Sequence, residues 1–269
     1  MKEETQNSDG SAVITEETTK NYASGAVKTV SETTVTDADG NVTATVEKTQ
    51  KTSKADKDGN VTVTTNIKET SAEGNVVTTK ETSVVDAKGN TSTVTKKTEK
   101  DENGKKIVTT TTLNLDKKGK GTVTTEKKVG KKSVASEEYS LSNRGKAQVK
   151  SLDSKDETVM IPESIEVSGK TCVVTGIAKN AMKNNDKIEN VTLGENITTI
   201  GAGAFKNAKN LETVELTDSI KKVSKNAFKG IAENAVFKIK ASSQKEFKRI
   251  VELLKKSGVS DSVSFEFVD

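Results

Sequence analysis

The sequence predicts a mainly β protein in two parts. An antiparallel β-meander comes first, then a short solenoid of repeats closed by a capping helix and a strand. Three observations predict this. Glycines recur at 15-residue intervals through the first half, and a different spacing, 23 residues, runs through the second half from residue 177. All six Phe lie after residue 200, whereas both Tyr lie before residue 150. The polar run at 150–156 divides the two patterns, so the expected domains are 1–150 and 151–269.

The meander is read from its turns. Gly10, Gly25 and Gly40 stand 15 residues apart, and after a step of 19 so do Gly59, Gly74, Gly89, Gly104 and Gly119. Most close a polar tetrad, such as DADG at 37–40, DKDG at 56–59 and DAKG at 86–89. Asp opens a type I turn by bonding its own backbone, and Gly accepts the positive φ that closes it. The tetrads predict hairpin loops of four or five residues. Between turns the chain is Thr, Val, Lys and Glu, as in VTATVEKT (42–49), which suits a pleated surface. About eleven residues per strand at ~3.3 Å each give strands about 36 Å long, in a meander of about nine or ten strands.

Neither face of these strands carries a core. Val61, Val63, Thr65, Ile67 and Glu69 share one face of one strand, and Ser92, Val94, Lys96 and Thr98 share one of another. A sheet solvated on both sides depends on cross-strand pairs worth about 0.2–1 kcal/mol each. Its register must be set by the turns, because burial specifies it weakly. In composition and turn spacing the segment resembles the single-layer-sheet surface lipoproteins. The competing reading is a disordered Thr/Lys/Glu stalk; the fixed Gly spacing favours the sheet.

The second half repeats differently. Ile177, Ile200 and Val223 form one series at 23-residue spacing, and Ala181, Ala204 and Ala227 another. Met182, Phe205 and Phe228 form a third, and Ile188 and Leu211 a fourth. Each unit opens on the L-x-x-L-x-L pattern, as Ile188-x-x-Val191-x-Leu193 and Leu211-x-x-Val214-x-Leu216. The three apolar positions point inward from a short strand, the Ile200/Val223 series closes a turn, and the Ala-Phe pair on a short helix fills the space behind. Alone, each unit leaves a bare apolar edge, so units must stack. A hairpin is expected around Ser168-Gly169-Lys170. Residues 243–256 have helical apolar spacing at 247, 250, 251 and 254, ahead of a C-capping Gly258. Val263 to Val268 reads as a final strand.

These residues resemble the BspA-type bacterial leucine-rich repeat family over 157–269. Ile200-Gly201-Ala202-Gly203-Ala204-Phe205 matches its I-G-x-x-A-F core. The equivalent segments at Val223 and Ile177 depart at the Gly, and the second also at the Phe. The resemblance implies a bacterial cell-surface or secreted protein that binds a host matrix or cell-surface protein, other cells or a glycan. The meander would then space the repeats from the cell.

Composition narrows the chemistry. The chain of 269 residues has no His and one Cys. The commonest general base and metal ligand is therefore missing, and a Cys-type zinc site cannot form. A non-enzymatic binding module without cofactors is expected; the alternative is a structural spacer without a specific ligand. The 43 basic and 39 acidic residues are interspersed along the sequence, so no nucleic-acid partner is expected. No run approaches the ~20 apolar residues of a membrane helix. The start, MKEETQNSDG, lacks the apolar core of a signal peptide, so the segment reads as cytoplasmic or as a trimmed piece of an exported protein. The resemblance favours the second.

The DxDG tetrads lack the distal Glu of a calcium loop, which leaves turn chemistry. Cys172 sits in an alternating apolar stretch and reads as a small buried hydrophobe. The candidate partner-binding residues are the solvent-facing positions of the repeats. These are Glu189, Asn190 and Thr192 in one unit, and Glu212, Thr213 and Glu215 in the next. The bland reading of each is plain solvated surface, since none is an aromatic or Arg anchor.

Overall fold

The structure, a computed structural model, describes residues 1–268. The chain divides into two compact units, residues 1–117 with 127–132 and residues 118–126 with 133–269. The expected boundary at 150–156 falls inside the second of these.

The first unit carries β1 (Lys2–Gln6), β2 (Ala12–Asn21), β3 (Val27–Thr36), β4 (Val42–Thr52), β5 (Val61–Ser71), β6 (Val76–Val85), β7 (Thr91–Lys100) and β8 (Lys106–Leu115). They pair antiparallel in sequence order, which is the expected meander. The turns are one class shorter than expected. Asp37 N–H donates to Asn41 O at 2.9 Å and Gly40 N–H to Asp37 O at 3.1 Å, and the pattern recurs at 56–60, 86–90 and 101–105. The connection is therefore a three-residue loop, a type I turn followed by a left-handed Gly. Gly40 has φ +82°, which an L side chain would resist. The Asp carboxylates close the turns. Asp37 accepts from Asn41 N–H at 2.8 Å, Asn41 Nδ2 at 3.0 Å and Asp39 N–H at 3.0 Å. The Asn41 side chain contributes most to holding the Asp37 carboxyl below its ordinary pKa.

The unit is a single layer. Leu113 is its one buried hydrophobic residue, and the buried Thr65 and Thr93 lie on the same face. Cross-strand polar pairs take the place of a core. Thr15 meets Thr33 at 2.9 Å, Thr19 meets Thr29 at 3.1 Å, and Thr93 Oγ1 donates to Ser83 Oγ at 3.0 Å.

The second unit takes in most of β9 (Gly121–Val129), then β10 (Lys132–Leu141), β11 (Lys146–Ser154), β12 (Thr158–Ile161), β13 (Ser164–Val167) and β14 (Lys170–Ile177). The repeats follow as β15 (Asn190–Leu193), β16 (Thr199–Ile200), β17 (Thr213–Thr217), β18 (Lys222–Val223) and β19 (Val236–Lys240). Helix α1 (Gln244–Lys256) and β20 (Ser264–Val268) complete it.

Two parallel ladders run through the repeats. One is β12-β15-β17-β19-β20 and the other β11-β14-β16-β18. Residues 23 apart lie opposite one another, as Val191 with Val214 and Val214 with Phe237. The Ile177, Ile200 and Val223 series is a strand ladder, not a turn closure. Its first rung is Val149, paired with Ile177. Strands β10 and β11 bury Tyr139, Leu141, Ala147, Val149 and Leu152, so the coreless pattern ends before residue 139. The hairpin β13–β14 turns through Ser168 and Gly169, as expected.

The Ala-Phe pairs do not sit on helices. Residues 202–207 are successive turns, with Ala204 N–H donating to Gly201 O at 3.2 Å and Lys206 N–H to Gly203 O at 3.1 Å. Left-handed residues interrupt any helix at two positions of the repeat. One is filled by Asn180, Gly203 and Asn226, the other by Asn184, Asn207 and Gly230. Gly201 is fixed by close approach: a Cβ there would lie 2.5 Å from Ala178 C of the preceding repeat. Behind the strands, Phe205 stacks on Phe228 at 4.9 Å, and Phe228 meets Phe237 edge-on at 5.1 Å.

Helix α1 forms where expected. Ser243 Oγ accepts from Glu246 N–H, Gly258 takes φ +85°, and Ile250 and Leu254 are buried. Arg249 ties the helix to the last repeat through Nη1 to Ile220 O at 2.8 Å and Nη2 to Asp218 O at 2.6 Å. The Asp218 carboxylate accepts from Ser242 Oγ at 2.6 Å and Ser242 N–H at 2.7 Å. The Ser242 hydroxyl first, then its N–H, hold the carboxyl below its ordinary pKa, with Arg249 adding to them. A depressed folded pKa contributes stability above the unfolded value, near pH 3.9, which is lost as pH falls through the folded one. Ser242→Ala is expected to return the Asp218 pKa toward its ordinary value in a carboxyl-carbon NMR titration. An unchanged titration would show that Ser242 does not set it.

Candidate functional site

The parallel ladder β12-β15-β17-β19-β20 places alternate residues on its two sides. The inward row is Val159, Val191, Val214, Phe237 and Phe265, and a second is Ile161, Leu193, Leu216, Ile239 and Phe267. Between them the outward row reads Met160, Thr192, Glu215, Lys238 and Glu266. Its neighbour reads Thr158, Asn190, Thr213, Val236 and Ser264. Rungs at about 4.8 Å make each row a continuous strip of side chains.

The outward row is internally paired. Glu215 Oε2 accepts from Thr192 Oγ1 at 3.1 Å, and Glu215 Oε1 lies 3.4 Å from Lys238 Nζ. Lys240 Nζ donates to Glu195 Oε1 at 3.2 Å. Thr192, Glu215, Thr217, Lys238, Lys240 and Glu266 line a shallow cleft of about 480 Å³ on the outward side. Among the described residues no group of three or more His, Cys, Asp or Glu is placed to hold a metal ion.

The structure separates the six expected residues. Thr192 and Glu215 line the cleft, and Asn190 and Thr213 share the neighbouring row, where Asn190 Nδ2 donates to Thr158 Oγ1 at 3.5 Å. Glu189 and Glu212 precede their strands and join the repeats through backbone. Glu212 N–H donates to Glu189 O at 2.8 Å, and Val236 N–H to Glu212 O at 2.7 Å. Lys238, Lys240, Glu266 and Met160 were not anticipated. The signal for Lys238 is present: in Phe237-Lys238-Ile239 the Lys holds the x of V-x-L one repeat on. Met160, 73% exposed, is hidden by the hairpin insertion, which stretches the spacing from Val159 to Val191 to 32 residues. The buried Cys172 is a free thiol.

Residues 158–250 match the family model described as BspA type leucine rich repeat region, in six copies. This region therefore carries BspA-type leucine-rich repeats. Among solved structures, a leucine rich cell surface protein from Faecalibacterium prausnitzii A2-165 is similar at 15% identity and TM-score 0.33, over 49% of this chain and 41% of that one. The chain thus spans less than half the length of that protein. No curated protein matches the sequence. Among the described residues no helix is long and apolar enough to cross a membrane.

Proposed function

We propose, from the BspA-type repeats of residues 158–250, that this is a non-enzymatic cell-surface protein whose outward β15-β17-β19 strip binds a protein partner. The meander serves as its spacer. The observation that carries the reading is the cleft lined by Thr192, Glu215, Lys238 and Glu266, where carboxylate and ammonium groups alternate along the outward row. Asn190 and Thr213 extend the contact, with Glu189 and Glu212 at its margin. The partner class is a host matrix or cell-surface protein. The alternative, a spacer without a ligand, is favoured by the mutual pairing of Thr192, Glu215 and Lys238, which leaves that part of the strip already satisfied.

The test is surface plasmon resonance of the full chain over immobilised fibronectin, laminin and collagen. Saturable binding to at least one is expected, weakened about tenfold by reversing three charges in Glu215→Lys/Lys238→Glu/Glu266→Lys. Binding unchanged by these substitutions, or none to any of the three, would remove the strip from the mechanism.

A further inference from the structure

Along the sequence the two signs of charge in the first unit are interspersed, but the register sorts them. Lys20 stands opposite Lys28, and Lys28 opposite Lys51. Glu16 stands opposite Glu32, and Glu32 opposite Glu47. The two rows lie four residues apart on the same strands, hence on one face, with Thr18, Val30 and Thr49 between them. Strands at about 4.8 Å put like charges side by side, which destabilises the sheet. The acidic row is neutralised at both ends, by Lys2 at 3.8 Å from Glu16 and Lys68 at 2.7 Å from Glu47. The lysine row is not. None of Lys20, Lys28 and Lys51 makes an ion pair among the described residues.

Two further features converge on this row. Tyr22, the lone aromatic of residues 1–138, is 42% exposed, with Lys20 Nζ 5.3 Å from its ring centre. A shallow cavity of about 370 Å³ is lined by Tyr22, Ala26, Lys28, Lys51, Thr62 and Thr64. The turn beside it brings a fourth cation, because a Cβ on Gly25 would lie 4.0 Å from Lys54 Cγ. The connection from β4 to β5 carries two carboxylates, Asp56 and Asp58, and Asn60 occupies Asp56 through its N–H at 2.9 Å and Nδ2 at 3.0 Å.

We propose that this corner of the meander, Lys20, Lys28 and Lys51 beside Tyr22, binds a linear anionic glycan. A sulfated or carboxylated sugar chain laid across β2–β4 meets three ammonium groups in succession and relieves their mutual repulsion. The exposed phenol ring offers a flat apolar surface to one sugar ring, and Thr62 and Thr64 line the cavity beside it. A single aromatic gives no series of stacking platforms, which separates this site from a single-strand nucleic-acid groove. The site lies in the first unit and does not rest on the reading of the repeat strip.

The experiment is titration calorimetry of the full chain at about 50 mM salt, where polyanion binding is strongest. The probes are a heparin hexasaccharide, a hyaluronan hexasaccharide, a neutral dextran hexasaccharide and an octathymidylate. Saturable binding of at least one anionic hexasaccharide is expected; heparin alone assigns sulfate, and both assign anionic charge in general. The variant Lys20→Gln/Lys28→Gln/Lys51→Gln should weaken binding about tenfold, and Tyr22→Ser about fivefold. The charge-matched control Lys80→Gln/Lys96→Gln/Lys106→Gln should change it less than about twofold. Removing the lysine row should leave the melting temperature equal or higher. No binding of either anionic sugar, tighter binding of the oligonucleotide, equal binding of dextran, an equal loss in the control, or a lowered melting temperature would each overturn the site.

Discussion

Phe228→Ala is expected to destabilise the second unit by about 3–5 kcal/mol. No side chain in β1–β7 is a buried hydrophobe, so no substitution there can open a cavity of that kind. Phe228 is fully buried between two other rings, stacked on Phe205 at an interplanar angle of 6° and edge-on to Phe237 at 88°. Its removal loses the transfer energy of the ring and leaves a cavity that backbone on both sides cannot close, since adjacent repeats are held by parallel ladders. Each ring pair adds about 0.5–1.5 kcal/mol beyond area. The readout is urea unfolding followed by amide exchange at Val214 and Phe237, which lie in that ladder. On the meander, Val30→Ala should stay within about 0.5 kcal/mol of the parent chain. A loss below about 1 kcal/mol at Phe228 would mean that the ring column does not hold the repeats together.

The contrast explains which parts of the fold could be read from sequence. Turn spacing fixed the meander because each Asp-x-x-Gly tetrad is chemically complete: Asp37 supplies the acceptors and Gly40 the left-handed backbone. The repeats were equally readable, because Val191, Val214 and Phe237 keep one spacing and one direction. The lysine row was not readable. Lys20, Lys28 and Lys51 become neighbours only through two registers, and a slip of one residue in either would scatter them to opposite faces. Half of the candidate strip was readable for the same reason. Thr192 and Glu215 sit in the repeated V-x-L pattern, whereas Glu266 is displaced by the intervening α1 and Met160 by the hairpin. The helix expected under Phe205 failed because the pattern counts apolar positions and ignores φ; Gly203 and Asn207 already carried the contrary signal.

A chain beginning at residue 151 is expected to lose the cooperative unfolding that a chain beginning at residue 118 retains. The composition changes near 150–156, but the packing does not. Starting at 151 removes the β11 pairs from Lys146–Val173 to Val149–Ile177, and with them the buried Tyr139, Leu141, Ala147 and Val149. It also uncovers Val174 and Ile177, both fully buried. Each large apolar side chain taken back into water costs about 1.5–3 kcal/mol. The two together cost about 3–6 kcal/mol, a large fraction of the ~5–15 kcal/mol stability of a whole domain. The backbone suffers too, since Ala178 N–H donates to Val149 O at 2.7 Å and would face solvent at the new edge. Far-UV circular dichroism during urea titration gives the comparison. If the two chains share a midpoint and slope, β11 is dispensable and the solenoid begins at β12. A sloping, non-cooperative curve for the shorter chain places the first rung at Val149, a position that departs from the 23-residue spacing because the β13–β14 hairpin lengthens the step to Ile177 to 28 residues.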